Sequence, residues 1–155
     1  MGKADELARK FEESNQQFIN AVEGCSDEKW QSEASGEDKR SVGTVAHHVA
    51  TSHMQVAGLA QAVGSGVQVP PLTMDMIEQG NAQHARQNPS PAKDEVLSML
   101  RADGEKAAGI IRSMTDDQLS KTAKLPLSED PVTTTQIIEM IAIGHPAMHM
   151  QSITG

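Results

Sequence analysis

SVGTVAHHVATSHMQVAGLAQAV, residues 41–63, carries the reading on which the fold turns. Val42, Ala46, Val49, His53, Val56 and Ala60 recur every three or four residues, the spacing of one buried stripe on an α-helix. Ser41 stands where its hydroxyl can accept a free N–H of the first turn, and Gly64-Ser65-Gly66 ends the run. The segment predicts one long helix, and the pattern returns elsewhere. Leu7, Phe11, Phe18 and Val22 mark a helix over 4–22. Thr73 to about Gln87 reads as another, broken by Asn88-Pro89-Ser90-Pro91. From Pro91 onward, Val96, Leu97, Leu100, Ala107, Ile110, Ile111 and Met114 mark the next, and a last helix runs from about Thr134 to Ser152.

Between these lie a polar, turn-like stretch at 24–40 and the connector VQVPPL at 67–72. Further on come a cap and short helical turn at Thr115–Gln118, then the loop LPLSEDP at 125–131. Four substantial amphipathic helices and a shorter one, with no alternating strand signal, predict an all-α four-helix bundle, one domain over residues 1–155. The long connections 24–40 and 115–133 favour crossovers over a plain up-down array.

Composition agrees. Aromatics are 2% of the 155 residues with no tyrosine, so Leu, Ile, Val, Ala and nine methionines must fill the core. The net charge is −8 and no window is densely basic, which argues against nucleic acid as a partner. The first twenty residues carry no apolar leader, and nothing approaches about 18 consecutive apolar residues, so neither signal peptide nor membrane span is expected. The single cysteine, Cys25, fits a reducing cytoplasm and reads as a small structural residue. Trp30 is expected to pack the 24–40 stretch onto the bundle. Its acidic residues, 27–38, read as a solvated loop without calcium-loop spacing.

The chemistry rests on histidine. His145 and His149 are four apart, about 6 Å along a helix axis, close enough to share one metal ion. A third ligand would come from the HHVATSH of the second helix. His53 lies mid-stripe and reads as a satisfied core histidine, whereas His48 lies toward the flank beside Ser52 and Leu59. His47 and His84 are expected to face solvent.

SVGTVAHHVATSHM (41–54), the Glu78-Gln79-Gly80-Asn81 step and HPAMHMQSI (145–153), with the SDEKW turn at 26–30, together resemble the DinB-like (YfiT) superfamily. Its members are metal-binding four-helix bundles that include bacillithiol transferases and, more distantly, mycothiol-dependent maleylpyruvate isomerase. The resemblance implies His48, His145 and His149 as ligands of a divalent transition metal (Zn, Ni, Mn, Co or Fe). It places the second-helix ligand at His48 rather than at the His53 that the helical wheel picks as the buried one, and implies pairing into a homodimer. Two positions depart from the family pattern. Arg40 stands where a tryptophan usually precedes the Ser-Val motif. Pro146, between two ligands, cannot donate to the Ala142 carbonyl, and the resulting kink either misaligns the imidazoles or tilts the last turn toward the metal.

The function implied is activation of a low-molecular-weight thiol for transfer onto an electrophilic small molecule. Two alternatives stand beside it: hydrolysis at the same site, and a non-catalytic binding or oligomerisation bundle. Glu78, Glu139 and His53 are the candidates for a base.

Overall fold

A computed structural model describes residues 2–37, 39–70, 72–126 and 128–154. Asp38 of the acidic stretch, Pro71 of the connector and Leu127 of the expected loop lie outside them. α1 (Lys3–Glu23) buries Leu7, Phe11, Phe18 and Val22, the expected stripe. α2 (Asp27–Gln31) is a single short turn capped by Ser26, whose hydroxyl accepts the Lys29 N–H. α3 (Val42–Gly64) begins at Ser41, which accepts the Thr44 N–H. α4 (Met74–Gln87) buries none of its residues and lies on the outside of the bundle. α5 (Lys93–Arg112) buries Val96, Leu97, Leu100, Ala107 and Ile111. α6 (Asp116–Ser120) opens with a reciprocal cap between Thr115 and Gln118.

The loop expected across 125–131 is flanked by a ladder that periodicity could not reveal, because each strand has only two residues. β1 (Thr122–Ala123) and β2 (Val132–Thr133) pair antiparallel, Thr122 opposite Thr133 and Ala123 opposite Val132. The last helix is one path with a change of pitch. α7 (Thr134–Ile137) leads into a π-helical stretch, Ile138–Ile143, and then α8 (Gly144–Thr154). The Gly144 N–H donates to the Glu139 carbonyl five residues back, the mark of the wider turn.

α1, α3, α5 and this composite helix form the bundle. Its core has two parts. Leu7, Phe11, Ile111, Leu119, Ile137 and Ile138 fill one end. Phe18, Val22, Trp30, Val49, Leu100 and Ile153 fill the other. Between Phe11 and Phe18 on α1 sits a buried polar hub. Asn15 donates to the Leu100 carbonyl at 2.9 Å, and His53 Nε2–H donates to Asn15 Oδ1 at 2.8 Å. A Cβ on Gly104 would stand 2.2 Å from Asn15 Nδ2, so α5 needs glycine there to approach α1.

Trp30 packs the 24–41 segment onto α3, as expected. Its indole N–H donates to the Pro91 carbonyl at 2.8 Å, and a Cβ on Gly43 would meet the ring at 2.7 Å. Among the described residues no helix is long and apolar enough to cross a membrane.

Candidate metal centre

Three elements meet at one site. α3 brings His48, α8 brings His145 and His149, and the strap between α2 and α3 brings Glu37 and Arg40. His145 Nε2 lies 3.2 Å from His48 Nε2 and 2.9 Å from His149 Nε2. One nitrogen from each of the three lies within 4.8 Å of the others. Ligand nitrogens about 2.1 Å from a common ion stand roughly 3.0–3.4 Å apart at octahedral or tetrahedral angles, so the spacing fits coordination.

The hydrogen bonds behind the rings test that fit. Ser52 spends its proton on the Val49 carbonyl at 2.7 Å, so its oxygen can only accept from His145 Nδ1, 3.4 Å away. His149 Nδ1 donates to Glu37 Oε1 at 2.7 Å. In their neutral forms both rings therefore turn lone pairs inward, facing each other across 2.9 Å. Only a shared proton or a cation reconciles two such lone pairs. The imidazole donor set suits a divalent transition metal.

Electrostatics favour the neutral forms of His48 and His145. Burial, then the neighbouring His145 and His149, lowers the His48 pKa to about 3. Burial, then His149, lowers that of His145 to about 4. Burial alone would raise Glu37, but hydrogen bonds from Ser152 and His149 and the nearby positive charges outweigh it, and the net shift is downward. Glu37 is thus a carboxylate with both oxygens engaged: Oε1 by His149 and Ser152, Oε2 by Arg40 at 2.5 Å.

Pro146 does not spoil this arrangement. The π stretch runs directly into α8, and its wider turn just before Pro146 makes room for the ring that an uninterrupted α-helix would press against the Ala142 carbonyl. His145 and His149 then keep regular i, i+4 geometry. The junction is tied to α1 by Ser14, whose hydroxyl donates to the Ile143 carbonyl at 3.0 Å.

The triad opens into a cavity of about 1160 Å³ whose walls are largely apolar, among them Leu59, Leu72, Ile77, Met140, Ile141 and Met148. Leu72, Met140 and Met148 are exposed and rim its mouth. Glu37 and Arg40 line the cavity as well.

Other expectations are met or corrected. His53 is buried against the edge of Phe11 and bonded to Asn15, a satisfied core histidine. Of the base candidates, Glu78 and Glu139 are exposed and off the cavity wall, and His53 is committed to the hub. His47 and His84 do not face solvent. They are half-buried, stacked at 4.9 Å, with His47 Nδ1 2.7 Å from His84 Nε2. The acidic stretch is not uniformly solvated, since the Glu37 side chain is only 10% exposed. Its neighbours in sequence are acidic too, so no spacing distinguished it. Cys25 is buried, and burial raises its thiol pKa against the charges of Lys93 and Lys29, which suits a structural residue.

No curated protein matches the chain. Among solved structures, YfiT from Bacillus subtilis matches with a TM-score of 0.76 at 18% identity, over 99% of this chain and 86% of that one. It is described as "a probable metal-dependent hydrolase with an unusual four-helix bundle topology". At that identity the likeness speaks for the fold. The family model of the DinB superfamily matches residues 10–153, a span that takes in all three inward-facing histidines. With bundle, histidine order and family match in agreement, this chain belongs to the DinB superfamily.

Proposed function

We propose that this protein is a metal-dependent enzyme that activates a low-molecular-weight thiol for transfer onto an electrophilic small molecule. His48, His145 and His149 would hold the ion. The observation that carries the reading is the convergence of three imidazole nitrogens on a roomy, mostly apolar cavity. A divalent ion bound by neutral imidazoles lowers the pKa of a thiol or water that reaches it. In the transfer, the thiol gives up its proton, its sulfur bonds the electrophilic carbon, and the leaving group departs with the bonding pair.

The chain's own contribution is positional. Glu37 and Ser52 take the outer N–H of His149 and His145, which holds each ring's tautomer and angle. Glu37 has no oxygen to spare as a base, and no other carboxylate lines the cavity among the described residues. The thiol proton therefore leaves through the open mouth to solvent. The apolar walls exclude water from the electrophile and favour sulfur over hydroxide as the attacking atom.

Elemental analysis of tag-free protein purified without chelators should find about one transition metal per chain, lost in His48→Ala and in His145→Ala. Transfer of small thiols to a chromogenic electrophile should stop on chelation and return with added metal. Transfer that is unchanged by metal removal would overturn the reading. Hydrolysis at the same histidines is the second reading, favoured by the description of YfiT. Ester cleavage without thiol, at rates equal to those with thiol, would select it.

A further inference from the structure

Arg40 carries a charge that the metal reading does not use. Its Nε–H donates to the Glu37 backbone carbonyl at 3.2 Å and one Nη2–H donates to Glu37 Oε2. Nη1 is buried with no partner among the described residues, although the side chain lines the cavity. The side chain is 15% exposed. An unpaired guanidinium N–H at such a place costs free energy until an acceptor reaches it.

The geometry points to Arg40 as the group that selects the substrate: the cavity takes a small organic carboxylate, its acidic head on the free edge of Arg40 and its apolar body against the methionine-rich mouth. Glu37 holds the guanidinium along its Nε–Nη2 side and leaves the Nη1–Nη2 edge, one proton from each nitrogen, for a planar carboxylate. Arg40 is the one Lys or Arg among the described lining residues, which suits one carboxylate better than a phosphate needing several donors. Charge agrees. Arg40 and Glu37 cancel, and a divalent ion held by imidazole nitrogens leaves the pocket positive inside a chain of net charge −8. This last point rests on the metal reading; the orphaned donor does not. The walls then ask for apolar bulk, since Leu72, Met140 and Met148 remain exposed around the entrance.

The test compares 4-phenylbutyrate with its neutral amide by titration calorimetry, on chelator-treated and on zinc-loaded protein. The wild type should prefer the carboxylate about ten-fold or more in both forms, the effect of one charge-assisted pair. Arg40→Met should bring the two ligands within about two-fold, and Arg40→Lys, which keeps the charge without the fork, should fall between. Melting followed by circular dichroism checks that the variants fold; if Arg40→Met does not, Arg40→Lys decides by losing or keeping the preference. Absence of preference in the wild type would overturn the proposal. So would a preference undiminished in a folded variant. A preference seen only with zinc and surviving Arg40→Met would assign the carboxylate to the metal instead, and would leave the metal reading standing while this one falls.

Discussion

Glu37 decides how well the inward-facing histidines are held. Its carboxylate orients His149, takes the Ser152 hydroxyl and anchors Arg40, all from a strap with no helical support of its own. Glu37→Gln keeps the shape and an acceptor for His149 but removes the charge. We expect metal affinity to fall about ten-fold or more and the melting midpoint to drop as well, because the amide NH2 is set against donors that the carboxylate accepted. Competition with a chromogenic chelator measures this, and unchanged affinity would mean that the carboxylate does not tune the ring. At this scale the sequence was legible only in part. The inward-facing histidines stood out by type and spacing. Glu37 did not, because one acid in an acidic run carries no period. Arg40 was visible solely as a departure from a family pattern. His47 and His84 were misread because their contact joins two helices, and a single helix wheel contains no information about the second.

The composite last helix shows how an element can be longer in sequence than in register. The π stretch Ile138–Ile143 holds an extra residue per turn, which rotates everything after it relative to α7. That rotation sets His145 and His149 toward His48. Deleting Met140, an exposed residue of the stretch, should replace six residues of wide pitch by five of α pitch, which turn through nearly the same angle and leave α8 facing as before. The predicted outcome is retention of bound metal with nearly unchanged helical circular dichroism. Loss of metal would show that the wide turn itself, and not only the facing of α8, is needed to aim the histidines. None of this was readable in advance: hydrophobic periodicity tolerates a one-residue slip, and Pro146 drew attention to a kink that the preceding turn had already absorbed. The helices themselves were legible because Leu7, Phe11, Phe18 and Val22, like the stripe from Val42 to Ala60, obey one period throughout.

Across the whole molecule, the Asn15–His53 hub ties α1, α3 and α5 together with buried polar groups. Burial lowers the His53 pKa from 6.5 to about 4, with Asp103 opposing. Between those values the unfolded chain binds a proton that the folded chain refuses. The stability is therefore complete above about pH 6.5 and declines as pH falls toward 4. From pH 7.5 to 5.0 the wild type should lose about 2 kcal/mol more than His53→Gln, measured by urea unfolding. Equal losses would place the acid sensitivity elsewhere. The bundle was foreseeable from four stripes and two long connections, but the hub was not. Asn15 sits on the buried stripe of α1 as a polar residue, and only the glycine at 104 allows α5 close enough to explain it.

The strap that carries Glu37 and Arg40 is docked by Trp30, whose ring lies against Gly43 and whose N–H reaches Pro91. With one tryptophan and no tyrosine in the chain, ultraviolet emission comes almost wholly from a single fluorophore. The molecule therefore carries a built-in optical gauge of strap docking, so lifting of the strap can be followed by colour and intensity without attaching a dye.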